Sequence, residues 1–152
     1  MSKPVVAITR PKDRAGKACE IVEKLGGEAV LAPTLDLQPV NRDSLKELVK
    51  RKDELDWIRF TSPTTIVSLN KFYPDFIKTL NCKLAVIGNK TGKLAEKNGL
   101  KVDLMPEDFT AEGLIEEFKK REITGQTIGI PRTAYARPVL PEELEKLGNK
   151  VI

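Results

Sequence analysis

Histidine is absent from the 152-residue sequence. Catalytic triads with an imidazole base and metal sites built from histidine are therefore excluded from this chain. Any proton transfer has to use carboxylates, lysine, tyrosine, water or groups on a substrate. Only two cysteines are present, Cys19 in a helical context and Cys82 at the start of a strand. They predict reduced structural thiols rather than a disulfide, and no metal site is expected.

The sequence also lacks long apolar runs and has few aromatic residues. No apolar stretch approaches the roughly 18 residues that a membrane span needs, and the N-terminal MSKPVVAITR lacks the features of a signal peptide. We therefore expect a cytoplasmic protein with no membrane partner. Aromatic residues make up 5% of the chain, and its net charge of +4 is not gathered in blocks. Nucleic acid is therefore not an expected partner, because the basic isoelectric point is the only feature that would favour binding it.

Three stretches of the chain repeat one pattern, in which a charged helix end is followed by glycine and a short apolar strand. They are EKLGGEAVLAP at 23–33, EKNGLKVDLMP at 96–106 and EKLGNKVI at 145–152. Gly26, Gly99 and Gly148 suit the left-handed position that closes a helix. The first two copies end in proline, whereas the third stops at Ile152. We therefore expect a strand that continues further, in a longer α/β protein.

Short apolar segments alternate with helical patterns along the whole chain. The predicted strands are residues 5–8, 28–32, 57–60, 83–87, 101–105 and 127–130. Because these strands are nearly continuous apolar runs separated by helices, they indicate a parallel sheet covered on both faces. The predicted fold class is α/β, a flavodoxin-like doubly wound parallel sheet, with one strand–helix–strand unit of a second, incomplete domain. Residues 35–40 hold a proline and predict an exposed connecting strand or linker.

Three helix starts carry capping signals. Ser44 followed by Glu47 forms a capping-box pattern, and Thr110 opens a helix later in the chain. Ser62 precedes Pro63, which suits the first position of a helix. Capping alone would account for Ser62, so this residue is either a structural cap or a ligand contact.

Four loops are predicted at the carboxyl ends of the strands, where ligands of open parallel sheets gather. They span residues 9–11, 61–65, 88–91 and 131–137. Each offers small or hydroxyl side chains and backbone N–H groups at a positive helix end, which favours carboxylates or phosphates. The sequence GNKTGK at 88–93 is not a phosphate-binding P-loop, because three rather than four residues separate its glycines and Leu94 replaces the residue that holds magnesium.

Five motifs follow one another along nearly the whole chain. They are TRP at 9–11, DWIRFTSP at 56–63, VIGNKT at 86–91, PEDFTAEGL at 106–114, and PR at 131–132 with LPEEL at 140–144. In this order the motifs resemble those of the uroporphyrinogen-III synthase family.

The resemblance implies a cofactor-free lyase of tetrapyrrole biosynthesis, the route to haem, sirohaem and cobalamin. The family closes linear hydroxymethylbilane to uroporphyrinogen III, with loss of water and inversion of ring D, by a proposed route through an azafulvene cation and a spiro intermediate. The substrate carries eight carboxylates, so its expected contacts are hydroxyl groups, backbone N–H groups and cations. By resemblance the substrate-binding residues are Thr9, Arg10, Ser62, Thr64, Gly88, Thr91 and Arg132. No catalytic residue of this chain is assigned.

The resemblance also implies the domain organisation. Residues 1–34 would be the strand–helix–strand piece of a discontinuous first domain, 35–40 a linker strand and 41–152 a flavodoxin-like second domain, with the rest of the first domain beyond Ile152. Members of the family are monomeric, but the incomplete first domain would leave strand edges unpaired, through which this chain could self-associate. The alternative function is a non-catalytic module that binds an anion or a nucleotide, or an inactive remnant of the family.

Overall fold

The computed structural model describes residues 2–36, 38–131 and 138–152. The chain forms two compact units, Met1–Pro39 and Val40–Ile152. None of the described helices is both long and apolar enough to cross a membrane.

The unit Met1–Pro39 is a strand–helix–strand motif. It consists of β1 (Val5–Ile8), a short 3-10 turn, α1 (Gly16–Lys24) and β2 (Glu28–Leu31). The two strands are parallel, with Val5 opposite Glu28 and Ile8 opposite Leu31. After α1 the chain turns at Gly26, whose φ of 83° confirms the predicted left-handed position.

This first unit buries very little. Among its described residues only Ala15 is fully buried, whereas Val5 is 64% exposed and Leu25 is 82% exposed. Two strands and one helix cannot enclose an apolar core, so most of the apolar side chains of this unit remain in contact with solvent. The described residues of the predicted linker at 35–40 have no regular secondary structure.

The unit Val40–Ile152 alternates helices with strands. Its elements are α2 (Asp43–Lys50), β3 (Trp57–Phe60), α3 (Pro63–Phe72), β4 (Lys83–Val86), α4 (Asn89–Lys97), α5 (Ala111–Lys120), β5 (Thr127–Gly129), α6 (Val139–Lys146) and β6 (Lys150–Val151). Short 3-10 turns follow α2 and α3, at Lys52–Glu54 and Ile77–Thr79.

All strands of the second unit are parallel, in the order β4-β3-β5-β6. Leu104 adds a single bridge on the outer side of β4, through Ala85. Numbered along the chain, the four strands are therefore in the order 2-1-3-4, and the direction in which strands are added reverses between β3 and β5. The predicted doubly wound parallel α/β sheet is confirmed. Flavodoxin sheets have the order 2-1-3-4-5, so the four strands follow the predicted flavodoxin-like order, and Leu104 adds only a bridge beyond β4.

Helices cover both faces of this sheet. Ile58 and Phe60 of β3 belong to one core cluster, which includes buried residues of α2, α3 and α4. Trp57 belongs to the other cluster, which includes buried residues of α5 and α6. Because side chains alternate between the faces of a strand, β3 contributes to both clusters and is buried along its whole length.

The structure confirms the predicted roles of the helix-ending glycines and of Thr110. It contradicts two other local predictions, the Ser44 cap and the strand at 101–105. Gly99 and Gly148 have φ of 84°, as predicted, and the Thr110 hydroxyl accepts a hydrogen bond from the Gly113 N–H at 2.9 Å. The Ser44 cap is wrong, because α2 begins one residue earlier with Arg42 at its N-cap and without a side-chain cap. The Asp43 carboxylate instead accepts a hydrogen bond from the Lys46 ammonium at 3.0 Å.

The predicted strand at 101–105 is reduced to the bridge at Leu104. The reason is Asp103, whose carboxylate accepts the Leu84 N–H at 2.9 Å. A side chain therefore takes the place of a backbone carbonyl in the ladder, and regular pairing with β4 stops there.

Asn149 links three segments of the second unit. Its side chain accepts the Gln126 N–H at 3.0 Å and donates to the carbonyls of Ile123 at 3.0 Å and Leu144 at 3.2 Å. The residue is buried, so its amide replaces water for three backbone groups.

Replacing Asn149 by alanine should lower the free energy of unfolding by about 2–3 kcal/mol, because buried backbone groups lose their partners. Urea denaturation followed by circular dichroism measures the loss. The exposed Asn81 provides a matched control, and Asn81→Ala should change the value by less than about 0.5 kcal/mol. Equal effects of the two substitutions would show that the Asn149 bonds do not stabilise the unit.

Cys82 directly precedes β4 and is half-buried against the core cluster beneath α3 and α4. Burial raises the pKa of its thiol to about 11, and the charges of Asp103 and Asp56 add to the shift. The thiolate is the reactive form of cysteine, so Cys82 should be an unreactive thiol near neutral pH.

In the folded protein, alkylation of Cys82 by iodoacetamide should accelerate steadily from about pH 8 to pH 10, since a thiol of raised pKa is still far from fully ionised there. Mass spectrometry of the Cys82 peptide gives the rate at each pH. In urea the same rate should level off near pH 9. If the folded protein also levelled off near pH 9, burial would not control this thiol.

Candidate functional site

Two loops leave the carboxyl edge of the sheet side by side. Phe60 of β3 lies opposite Val86 of β4, and neighbouring strands are about 4.8 Å apart. The chain then enters α3 and α4, which pack on the same face of the sheet. Four predicted site residues lie in these loops or in the first helical turns, at neighbouring positions along one edge: Ser62, Thr64, Gly88 and Thr91.

Ser62 occupies the N-cap position of α3 without acting as a cap. Its backbone is extended, with φ of −149° and ψ of 153°, but its side chain accepts no capping hydrogen bond from a backbone N–H of the helix. Its hydroxyl instead shares a long hydrogen bond of 3.5 Å with the hydroxyl of Thr65. The backbone N–H groups of the first turn of α3 therefore have no acceptor from Ser62, and this half-buried residue can contact a ligand together with them.

Gly88 turns the chain into α4. Its φ of 90° and ψ of 142° lie in a region that other residues rarely adopt. An added Cβ would meet nothing within 4 Å, so it is the backbone conformation and not a lack of space that requires glycine. Among the described residues no side chain caps α4, and its first N–H groups face the same edge of the sheet as those of α3.

Thr91, in the first turn of α4, is only 2% exposed. Within the described part of the chain, its hydroxyl makes no hydrogen bond, which distinguishes it from the fully bonded Asn149. Such a hydroxyl can donate a hydrogen bond to an acceptor on a ligand.

The N-terminus of α5 lies at the same edge but is already occupied by the chain itself. Thr110 caps it and donates to the Asp108 carboxylate at 2.8 Å. Asp108 lies so close to Gly113 that any Cβ at that position would clash with the carboxylate. A side-chain anion thus sits where an external anion would bind, so α5 is not part of the candidate site.

Sequence reasoning treated β3 as an apolar strand and did not single out Arg59. This arginine is 9% exposed and lies on the face of β3 that also carries Trp57, since side chains alternate along a strand. The available signal was the charged residue inside the apolar segment WIRF.

The other predicted site residues are placed differently. Thr9 follows β1 in the first unit, where its carbonyl accepts both the N–H and the hydroxyl of Thr34 at 3.3 Å. Arg10 follows it and is exposed. Arg132 lies outside the described residues.

Two open hollows of the second unit lie at the opposite, amino edge of the sheet. They are lined in part by Asp56, Lys83 and Asp103. Asp56 accepts the Thr127 N–H at 2.8 Å and Asp103 accepts a strand N–H, so these carboxylates support the backbone and repel anions. Across residues 2–36, 38–131 and 138–152, no group of three or more cysteines and carboxylates is placed to hold a metal ion.

Comparison with known proteins identifies the family of this chain. The family model described as uroporphyrinogen-III synthase HemD matches residues 17–152. A putative uroporphyrinogen-III synthase from Methanothermobacter thermautotrophicus is 42% identical over 149 residues, which cover 97% of this chain and 59% of the relative. The protein of the same name from Methanocaldococcus jannaschii is 38% identical over 142 residues, covering 91% of this chain and 57% of the relative.

Solved structures match over the same extent. A crystal structure of a mutant uroporphyrinogen III synthase from the extremely thermophilic bacterium Thermus thermophilus aligns with 99% of this chain and 60% of its own, at a TM-score of 0.71 and 17% identity. The wild-type enzyme aligns at a TM-score of 0.62, 18% identity, 99% of this chain and 59% of its own. At such identities the likeness concerns the fold alone. This chain spans about three-fifths of the length of the relatives it matches. On the family match and the identity to its relatives, the chain belongs to the uroporphyrinogen-III synthase family.

Proposed function

We propose that this chain binds hydroxymethylbilane and takes part in its closure to uroporphyrinogen III, with loss of water and inversion of ring D, as a lyase of tetrapyrrole biosynthesis. The observation that carries the proposal is Thr91, a residue only 2% exposed whose hydroxyl makes no hydrogen bond within the described residues, in the first turn of a helix with Gly88 at its N-cap. A cytoplasmic location goes with this function.

The proposed binding mode follows from the carboxylates of the substrate. Uncapped N-termini carry a partial positive charge and orphan N–H donors, and α3 and α4 present two of them side by side. Substrate acetate and propionate groups would accept hydrogen bonds from these N–H groups and from the hydroxyls of Ser62 and Thr91. Thr64 and Gly88 complete the proposed contacts of this edge, while Thr9 and Arg10 are proposed contacts from the first unit.

The proposed role of these contacts is to position the substrate. Closure joins the two ends of a flexible linear molecule. Anchoring its side chains therefore lowers the entropic cost of bringing these ends together. The leaving group is water from the hydroxymethyl carbon, and the resulting azafulvene cation lies on the substrate itself. Bound carboxylates would compensate the partial positive charge of the helix N-termini near that cation.

Thr91→Val should separate function from stability. Affinity for uroporphyrin III, a stable octacarboxylate tetrapyrrole, should fall about 3- to 10-fold, because one hydroxyl donor is lost. The urea midpoint should change little, since the hydroxyl makes no hydrogen bond within the described residues. Fluorescence quenching of the porphyrin measures the affinity. Thr124→Val, at an exposed position in a hollow of the amino edge, is the matched control and should change neither value.

Activity is tested on freshly prepared hydroxymethylbilane, with the oxidised products separated by isomer. The chain should raise the type III fraction above the spontaneous closure, which gives type I, and Thr91→Val should lower this gain. Binding of uroporphyrin III without any type III product would favour the non-catalytic binding module. Absence of both binding and product would refute the proposed function.

We also propose that the chain self-associates through the unit Met1–Pro39. Val5 and Val30 are 64% and 42% exposed and lie on one face of its two-stranded sheet, and each strand has one unpaired edge. An apolar face with open edges is a template for pairing with a second copy.

Sedimentation velocity should therefore show a dimer that grows with concentration, and Val30→Lys should shift it towards monomer because the charge would be buried in the contact. Val67→Lys alters a comparably exposed valine of α3 in the other unit, 55% exposed, and should leave association unchanged. A wild-type chain that stays monomeric at its highest soluble concentration contradicts this proposal.

A further inference from the structure

Arg59 is a charged residue within β3, a strand in the interior of the sheet. Its side chain is on a strand whose four residues are all buried, and it is 9% exposed. A guanidinium stays protonated even when buried, so its charge has to be compensated by hydrogen-bond acceptors or by an anion. Apolar β-branched residues usually occupy such positions, because they suit a buried strand at no electrostatic cost.

The position of Arg59 in the sheet is specific. The order of the strands reverses between β3 and β5, and β3 is therefore one wall of the topological switch point. Arg59 is the penultimate residue of β3, about 3.3 Å from its carboxyl end. Its neighbour in β4 is Ala85, whose small side chain leaves room beside it for the long side chain of Arg59.

The neighbour on the other side lies just beyond β5. Ile58 pairs with Gly129, so the next residue along, Ile130, follows beside Arg59. In open α/β sheets, the ligand crevice lies outside the carboxyl ends of the strands at the switch point. Arg59 is thus a buried cation immediately beneath the place where such sheets bind ligands, on the strand that leads into Ser62.

We propose that Arg59 is a substrate-binding residue of this chain, whose guanidinium holds one carboxylate of the polycarboxylate substrate at the switch point of the sheet. This inference rests on the proposed function and adds to it a cation on the other face of β3 from α3 and α4. The planar guanidinium can donate two parallel hydrogen bonds to a carboxylate, which makes such a contact stronger and more directional than one to a hydroxyl.

The test compares Arg59→Leu, Arg59→Lys, Thr91→Val and Arg121→Leu with the wild-type chain. The probe is uroporphyrin III, titrated by fluorescence quenching at several salt concentrations, and urea midpoints are recorded without the probe. Arg121 is the matched control, because it is an exposed arginine at the C-terminal end of α5 that pairs with Glu117 at 3.4 Å.

Arg59→Leu should weaken binding of uroporphyrin III by about 10-fold or more, since a charge-assisted bidentate contact is lost. The salt dependence of the remaining affinity should become shallower, because one charge pair fewer is screened. Arg59→Lys should bind between wild type and Arg59→Leu, as it keeps the charge without the planar pair of donors. Arg121→Leu should match the wild type in both affinity and salt dependence.

The outcomes separate this inference from the proposed function. A wild-type chain that does not bind uroporphyrin III overturns both. Binding that Thr91→Val weakens and both Arg59 variants leave unchanged overturns the Arg59 assignment alone. A purely structural arginine would give Arg59 variants with lowered urea midpoints and an unchanged salt dependence, and this also overturns the assignment. If Arg59→Leu fails to fold, Arg59→Lys decides, and wild-type affinity with wild-type salt dependence in that variant refutes it.

Discussion

The pairing of β3 with a strand on each side is the constraint on which the second unit depends. All four residues of β3 pair with β4, and two of them also pair with β5. Because every partner is parallel, the carboxyl ends of the strands meet at one edge, and each following helix begins there. The site is therefore a consequence of topology: once β3 and β4 are in register, the starts of α3 and α4 have to emerge together.

Three polar residues are buried in the described part of the second unit, and they differ in where they lie. Asn149 ties segments together through hydrogen bonds to three backbone groups. Thr91 and Arg59 lie near the carboxyl edge, where the ligand contacts are proposed. The same contrast applies to the helix starts, since α5 is closed by Thr110 and Asp108 whereas α3 and α4 have no side-chain cap. Apolar residues and side-chain caps would suit a fold selected for stability alone, and the polar groups at this edge are those to which the proposed function assigns the substrate contacts.

The sequence predicts those features that depend on one residue and its immediate neighbours. Gly99 and Gly148 were predicted correctly because a left-handed turn after a helix needs glycine and little else. The strand at 101–105 was overpredicted because no local pattern reveals that Asp103 replaces a backbone partner of β4. Arg59 was missed for a related reason. A single arginine in an apolar segment becomes informative only when the strand order shows that it lies at the switch point.

The contacts proposed at this edge also limit how tightly the second unit can bind by itself. Each helix terminus contributes about 0.3–1 kcal/mol, each neutral hydrogen bond about 1 kcal/mol, and a charge-assisted contact about 1.5–3 kcal/mol. Together these amount to about 5–8 kcal/mol before the cost of ordering a flexible ligand is subtracted. That range corresponds to dissociation constants from about 1 μM to about 0.2 mM. A substrate with many carboxylates suits such a site, because many weak contacts supply the affinity while none of them holds the molecule in one rigid conformation during closure.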